Sequence, residues 1–256
     1  MYKLRRKLFS QNFLHSRKLV NKLLRDSSIG KNDLVLEIGP GRGIITKQLF
    51  HQAQHVIAVE IDTHWYNYLR QKFGERENLT LYSADILNFK LPSLPYKIFA
   101  NIPFSIEGKI IRQLIDAKNP PEDCYLVIMK EFAYRLAAPY HDNMFSIMHK
   151  PWFDFSIYYH FRRTDFTPVP KVDVVMLRFT KRREPLLPLN EKQRFQKFVE
   201  IGFNYGSPVS KNLKQIFGNK SLVALNKLGI GRQIKPSKLA LQQWINLYRE
   251  LYNVKL

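Results

Sequence analysis

The sequence predicts an α/β protein in which a mainly parallel sheet is followed by a small all-helical domain. Between residues 33 and 130, short β-branched runs alternate with amphipathic stretches, as in strands connected by crossover helices. Two more strand-like runs, 154–161 and 172–179, are joined by a proline-containing loop too short for a helix. They predict an antiparallel addition at the edge of the sheet. After residue 179, apolar residues recur at helical spacing and strand patterns stop.

The predicted strands of the parallel part are short and apolar, and each is followed by a helical stretch. They are LVLEI, VIAVEID, LTLYSAD, KIFANIPF and CYLVIMK. The charged, proline-containing segment TKRREPLLPLN, residues 180–190, indicates a domain boundary. We therefore expect one domain over residues 1–180 and a helical domain over residues 181–256. The second domain is strongly basic, with fifteen Lys or Arg against four Asp or Glu.

The overall charge indicates a polyanionic partner. The chain of 256 residues has 41 Lys and Arg against 21 Asp and Glu, a net charge of +20. No apolar run approaches the roughly 18 residues of a membrane-spanning helix, so nucleic acid is favoured over a membrane. A single cysteine excludes an intrachain disulfide framework, and the seven histidines lack the spacing of metal ligands, so we predict no metal site. Without a signal-peptide core, the expected compartment is the cytoplasm.

A glycine-rich turn follows the first predicted strand, in the segment LVLEIGPGRGIIT. Glycines at 39, 41 and 43 would let a ligand approach the backbone at the start of a helix. The dinucleotide fingerprint would place its third glycine at position 44, which is Ile44. A pyrophosphate ligand is therefore disfavoured. With Glu37 just before the turn, the pattern favours S-adenosyl-L-methionine, whose sulfonium is positively charged.

Acidic residues close the next two predicted strands. Glu60 lies twenty-one residues after Gly39, where a carboxylate can accept hydrogen bonds from both hydroxyls of a ribose. Asp62 is an alternative for the same role. Asp85 closes the third strand, where it could accept from an adenine amino group while Ile86 covers the ring. Together with the glycine-rich turn at the end of the first strand, these two strand ends predict a nucleoside-containing cofactor.

The fourth predicted strand ends in the unusual segment Asn101, Ile102, Pro103 and Phe104. An exocyclic adenine amine is a weak nucleophile because its lone pair is delocalised into the ring. The Asn101 side-chain oxygen and the Ile102 carbonyl could accept hydrogen bonds from this amine, and Phe104 could stack on a base flipped out of its helix. The structural alternative is an asparagine that caps the following helix. The segment closes the fourth strand of a sheet whose first three strands carry the predicted cofactor residues, and this position favours the catalytic interpretation.

The motifs QNFL, EIGPGRG, VEID, ADI, NIPF, KEFAYRL and DFTPVPKVDVVMLRF occur in an order that resembles the rRNA adenine dimethyltransferases. This family includes the Erm methylases and the KsgA-type enzymes, and the resemblance covers about residues 8–180. It implies a Rossmann-like class I methyltransferase that uses S-adenosyl-L-methionine. It also implies two groups of site residues: Asn12, Leu14, Gly39, Gly41, Glu60, Ile61, Asp85, Ile86 and Asn101 around the cofactor, and Asn101, Ile102, Pro103, Phe104 and Phe166 around the target base.

The resemblance leaves the substrate open between two ribosomal RNAs. The segment MHKPWFDFSIYYHF and the compact C-terminal part after residue 179 resemble Erm enzymes. Erm enzymes act on an adenine of 23S rRNA and confer macrolide, lincosamide and streptogramin B resistance. KsgA-type enzymes modify two adjacent adenines of 16S rRNA. Other possibilities are a DNA adenine methylase or a non-catalytic nucleic-acid-binding factor on the same scaffold. We expect a monomer that contacts RNA phosphates through a basic N-terminal arm, the Arg162 and Arg163 pair and the helical tail. The arm consists of Lys3, Arg5, Arg6, Lys7, Arg17 and Lys18.

Overall fold

The computed structural model describes residues 12–137, 142–204 and 207–254. Its strands are β1 (Phe13–Leu14), β2 (Leu34–Ile38), β3 (His55–Glu60), β4 (Leu79–Ser83), β5 (Lys97–Asn101), β6 (Asp123–Met129), β7 (Phe153–His160), β8 (Phe166–Thr167) and β9 (Val174–Lys181). Its α-helices are α1 (Arg17–Arg25), α2 (Ile44–Gln52), α3 (Thr63–Phe73), α4 (Glu107–Asp116), α5 (Lys130–Ala137), α6 (Met144–His149), α7 (Lys192–Gly202), α8 (Val209–Phe217), α9 (Asn219–Lys227) and α10 (Leu241–Tyr252). Within the described ranges, no helix has the length and apolarity needed to cross a bilayer.

Seven strands form the main sheet in the order β4-β3-β2-β5-β6-β9-β7. The first five of these are parallel to one another, and β9 runs antiparallel to β6. The predicted parallel sheet with an antiparallel addition at one edge is therefore confirmed. Central strands are buried on both faces because helices cover them, which explains their continuous β-branched runs. Strand β6, for example, is DCYLVIM, and six of its seven residues are buried.

Three strands that lead to the predicted site end slightly earlier than the sequence indicates. Strand β3 ends at Glu60, β4 at Ser83 and β5 at Asn101, so Asp62 and Asp85 lie just beyond their strands. Both aspartates cap the elements that follow. The Asp62 carboxylate accepts from the amide of His64, and the Asp85 carboxylate accepts from the amide of Leu87, both at 2.9 Å. Local capping therefore explains why the chain leaves the sheet at these points.

The chain divides into two compact units. The first contains Met1–Ala133 and Ser156–Lys181, and the second contains Tyr134–Phe155 and Arg182–Leu256. The main part of the second unit thus begins beside the predicted boundary, but the unit also includes Tyr134–Phe155, which lies within the predicted first domain. Segment 182–190 packs within this unit: Leu187 is buried, and its carbonyl accepts from the Trp152 indole at 3.0 Å.

The second unit is helical, as predicted, and its core is aromatic. Phe195 and Phe198 of α7 pack against Tyr248 of α10, with ring centroids 5.2 and 5.4 Å apart. The Tyr248 hydroxyl contacts the Glu191 carboxylate, and Arg194 donates to the same carboxylate. A polar network thus anchors the first turn of α7 to α10.

Candidate functional site

A cavity of about 260 Å³ opens at the edge of the sheet where β2, β3, β4 and β5 end. The carboxyl ends of neighbouring parallel strands meet at one edge, and such edges commonly hold ligands. Its lining consists of Asn12, Phe13, Ile38, Gly39, Gly41, Val59, Glu60, Ile61, Ala84, Asp85, Ile86, Leu87, Asn101, Ile102, Pro103, Phe104, Ser105 and Ile106. Eleven of the predicted site residues are therefore brought to one cavity from five separate stretches of chain.

The glycine-rich turn forms one wall, and Phe13 packs on it. Gly41 has φ of +51°, and a Cβ built there would lie 2.6 Å from the Phe13 ring, so neither the backbone nor the space accommodates a larger residue. The Arg42 guanidinium lies 4.8 Å from the centroid of Phe13, and the Trp65 ring meets Phe13 edge-on at 5.4 Å. These contacts hold the segment that contains Asn12 against the cavity.

Glu60 fixes the shape of the turn from the neighbouring strand. It is 3% exposed, and its two carboxylate oxygens accept from the amides of Gly41 and Asp62, each at 2.9 Å. Burial raises the pKa of Glu60, and these amide donors oppose that shift. A carboxylate can accept about four hydrogen bonds, so Glu60 retains acceptor capacity toward the cavity.

Asp85 and Asp62 occupy different environments. Asp85 lines the cavity, whereas Asp62 is outside the lining, and its carboxylate caps α3. Ile86, which follows Asp85, is buried, and its carbonyl accepts from the Gln113 side chain at 2.9 Å. The position of Ile86 is thereby tied to α4.

Asn101 does not cap a helix. Pro103 precedes the 3₁₀ turn Phe104–Ile106, and α4 begins without a side-chain cap. Instead, the Asn101 side-chain nitrogen donates to the carbonyl of Asn12 at 2.6 Å. Because only the amide nitrogen can donate, this bond fixes the amide orientation and directs Oδ1 away from Asn12. The helix-cap alternative is therefore not supported, and Asn101 is among the residues that line the cavity.

Glu37 lies beneath the turn and does not line the cavity. It is 1% exposed, and its Oε2 has no hydrogen-bond partner among the described residues. Burial raises the pKa of Glu37 to about 8, the nearby Glu60 carboxylate adds to the shift, and Thr46 opposes it. At neutral pH its side chain is therefore mainly protonated. The expected attraction between a Glu37 carboxylate and a cationic cofactor is thus not supported; Glu60 and Asp85 are the acids at the cavity.

Two predicted site residues lie elsewhere. Leu14 of β1 and Phe166 of β8 are opposite each other in an antiparallel pair, are 3% and 1% exposed, and belong to the hydrophobic core. The stacking role predicted for Phe166 is not supported by this position, because its ring packs against Phe161 at 5.3 Å. Sequence reasoning missed Phe13, although it lies between the two residues selected in that segment. Of the predicted basic arm, Lys3, Arg5, Arg6 and Lys7 lie outside the described residues, whereas Arg17 and Lys18 are exposed in the first turn of α1.

The comparisons with known proteins agree with this architecture. The sequence model of the family described as ribosomal RNA adenine dimethylase matches residues 2–253. A ribosomal RNA small subunit methyltransferase A of Acaryochloris marina is 34% identical, over 94% of this chain and 95% of that protein. An rRNA adenine N-6-methyltransferase of Saccharopolyspora erythraea is 29% identical, over 96% of this chain and 65% of that protein. Among solved structures, the 23S rRNA methyltransferase ErmE superposes with a TM-score of 0.83 at 29% identity, covering 94% of this chain and 100% of that one.

The fold and the edge cavity define an S-adenosyl-L-methionine-dependent methyltransferase. More particularly, the chain belongs to the ribosomal RNA adenine dimethylase family. The enzyme class, the fold and the cofactor expected from the sequence are therefore confirmed.

The cavity fits this cofactor chemically. Among the described lining residues, the charged ones are Glu60 and Asp85, both acidic, although the protein has a net charge of +20. Acidic walls disfavour a polyphosphate and suit a ligand with a cationic sulfonium and hydroxyl or amino donors. Apolar Ile61, Ile86 and Leu87 line the same cavity and suit an adenine ring.

The raised pKa of Glu37 predicts a pH-dependent stability. The pKa rises from the model-compound value of 4.5 to about 8 on folding, so the folded state retains a proton that the unfolded chain releases. Stability is therefore lost as pH rises across this interval, by up to about 1.4 kcal/mol per pH unit. We expect Glu37→Gln to flatten this dependence and to be more stable than the unchanged protein at pH 8. Denaturant unfolding without cofactor at several pH values measures it.

The control for this prediction is Glu122→Gln, which changes an exposed carboxyl at the start of β6. This variant should keep the pH dependence of the unchanged protein. If the free energy of unfolding changed equally with pH in Glu37→Gln and in the unchanged protein, Glu37 would not be protonated in the folded state.

Proposed function

We propose that this protein transfers methyl groups from S-adenosyl-L-methionine to the exocyclic N6 of a specific adenine in 23S rRNA, giving a dimethylated base. The observation that carries the chemistry is the Asn101 amide, whose nitrogen is bound to the Asn12 carbonyl at 2.6 Å. Membership of the family supplies the reaction class. The 23S assignment is supported by the ErmE match, which covers 100% of that chain, and by the segment MHKPWFDF.

In this proposal, Glu60 at the end of β3 and Asp85 just after the neighbouring strand β4 hold the cofactor. Glu60 would accept from ribose hydroxyls with its remaining lone pairs, and Asp85 would accept from the adenine amine beside Ile86. Ile61 and Leu87 would cover the adenine faces, while Gly39 and Gly41 keep the turn free of side chains. The bound cofactor supplies an electrophilic methyl group.

The target adenine would enter beside the segment 101–104. Asn101 Oδ1 and the Ile102 carbonyl would accept hydrogen bonds from the N6 amine, which favours a pyramidal nitrogen with its lone pair available for attack. Pro103 lacks an N–H and therefore offers no competing donor. Phe104 lines the cavity and would stack on the flipped base. Because both acceptors are neutral, a singly methylated amine can still bind for a second transfer.

The resulting function is resistance to macrolide, lincosamide and streptogramin B antibiotics, exerted by a monomer on ribosomal RNA in the cytoplasm. A second candidate is methylation of adjacent adenines in 16S rRNA. It is favoured by the small subunit methyltransferases, of which that of Acaryochloris marina is 34% identical to this chain. A non-catalytic role has less support, because the Asn101 amide and the acidic cavity are both in place.

The substrate is identified by incubation with methyl-labelled cofactor and either naked 23S rRNA, naked 16S rRNA or 30S subunits, followed by mapping of the labelled base. We expect label at one adenine of 23S rRNA. Label in 16S rRNA or 30S subunits alone would replace the leading proposal with the second candidate. Absence of label from all three substrates would contradict both.

The Asn101 mechanism predicts separate effects on binding and chemistry. Asn101→Ala should bind S-adenosyl-L-methionine within a few-fold of the unchanged protein but transfer methyl groups about 100- to 1,000-fold more slowly, by analogy with loss of one preorganised polar group. Calorimetry and single-turnover labelling measure the two effects. Asn119→Ala is the matched control, because its amide also donates to backbone carbonyls, at 3.1 and 3.0 Å, but outside the cavity. Unchanged turnover in Asn101→Ala would remove the amine-acceptor mechanism.

The stacking role of Phe104 predicts a difference between two substitutions. Phe104→Ala should lower kcat/KM for RNA by roughly 5- to 150-fold, since stacking contributes about 1–3 kcal/mol per base. Phe104→Tyr keeps the ring and should stay close to the unchanged protein. Steady-state labelling with the RNA identified above measures both variants. Equal losses in Ala and Tyr would mean that the ring does not touch the base.

A further inference from the structure

A second cavity, between helices α1 and α2 in the first unit, is basic. It is lined by Arg17, Lys18, Asn21, Arg25, Gly30, Lys31, Gln48, His51 and Gln52. Four of these residues are cations and none is acidic. In contrast to the acid-lined cavity at the sheet edge, this basic groove suits an anion.

The placement of Arg17 and Lys18 is not explained by helix stability, although Arg25 lies in the last turn of α1, where the helix dipole favours a cation. Arg17 and Lys18 lie in the first turn of α1, where no acidic residue is present and where the helix dipole disfavours positive charge. Arg17, Lys18 and Arg25 are all exposed, and none forms an ion pair with a described residue. Charges with a structural role commonly lie near carboxylates, whereas these side chains are exposed and can contact an anion from solution.

The groove has an ordered floor. Gln52 donates to the carbonyls of Leu24 and Ile29 at 2.8 and 2.7 Å, and Lys31 donates to the carbonyl of His51 at 2.7 Å. Gln48 Nε2 is buried and has no hydrogen-bond partner among the described residues. Because this nitrogen is shielded from solvent, the cations are the groups that an anion in the groove would contact.

The dimensions favour a chain of phosphates over a single anion. Arg17 and Arg25 are eight residues apart on one helix, or roughly 12 Å, which corresponds to about three or four nucleotides of a stacked strand. The groove volume of about 880 Å³ also exceeds what a free phosphate occupies. Helix α1 begins three residues after β1 ends, and Asn12 and Phe13 line the catalytic cavity. In sequence, helix α1 of the groove therefore closely follows the segment that lines the catalytic cavity.

We propose that the α1/α2 groove binds the phosphodiester backbone of the substrate RNA. The proposal rests on the proposed function for the identity of the polyanion. The cations would contact phosphate oxygens, and such contacts position an RNA without reading its sequence. Each contact would add to the salt dependence of binding by releasing a counterion.

The test compares two triple variants that lose the same charge. The groove variant is Arg17→Gln, Lys18→Gln and Arg25→Gln. The control variant is Arg70→Gln, Lys90→Gln and Lys118→Gln, which changes exposed residues of the same unit outside the groove. Filter binding with naked 23S and 16S rRNA transcripts between about 50 and 200 mM salt gives the affinity and its salt slope. Calorimetry with S-adenosyl-L-methionine verifies that each variant is folded at the catalytic site.

We expect the groove variant to bind RNA at least about ten-fold more weakly, with a salt slope reduced by about 2 to 3, while its cofactor affinity is unchanged. The control variant should retain most of the affinity and slope. If both variants lost RNA affinity equally, net charge alone would explain the effect, and the proposal would be overturned. Unchanged RNA binding in the groove variant would overturn it as well. Loss of cofactor binding in the groove variant would overturn it too, because the residues would then support the fold.

The same experiment separates the groove from the proposed function. If the unchanged protein methylated RNA and the groove variant bound RNA normally, only the proposal for the groove would be overturned. Failure of the unchanged protein to bind either RNA would overturn both.

Discussion

The parallel pairing of β4, β3, β2 and β5 is the constraint on which the site depends. In register, Ile38 lies beside Val59, and Glu60 lies beside Ser83, so the residues that follow these strands emerge at one edge. Parallel strands require crossover connections, and here α2 and α3 return the chain to the opposite edge before each new strand. Residues far apart in sequence thus reach one cavity. The Asn101 bond to Asn12 then connects the N-terminal segment to the same edge.

The distribution of charge separates two tasks within one domain. The catalytic cavity contains the acidic side chains of Glu60 and Asp85, whereas the groove along α1 contains cations without acids among its described lining. At physiological salt, screening acts over about 8 Å, so local charges outweigh the distant net charge at each site. A protein with a net charge of +20 can therefore hold a cationic cofactor and attract a polyanion.

Buried acids maintain the glycine-rich turn. Glu60 is bound by amides of the turn and of the segment after β3, and so joins the two strand ends that border the cavity. Glu37, directly below, is too close to Glu60 and too deeply buried for both to carry full charge at neutral pH. A protonated Glu37 lowers the repulsion, and Glu60 is the one of these two acids that lines the cavity.

The sequence by itself determined the α/β class, the helical end of the chain, the cofactor and eleven residues of the cavity. These features could be predicted because strand periodicity, glycine spacing and the acids at strand ends are local sequence patterns. The NIPF segment likewise stands at the end of a strand. Tertiary structure alone decided that Phe13 faces the cavity while Leu14 and Phe166 pair in the core. It also decided that Glu37 is buried and that the cations of α1 meet α2 in a groove. Burial, amide orientation and pairing across the fold depend on residues distant in sequence, which no local pattern contains.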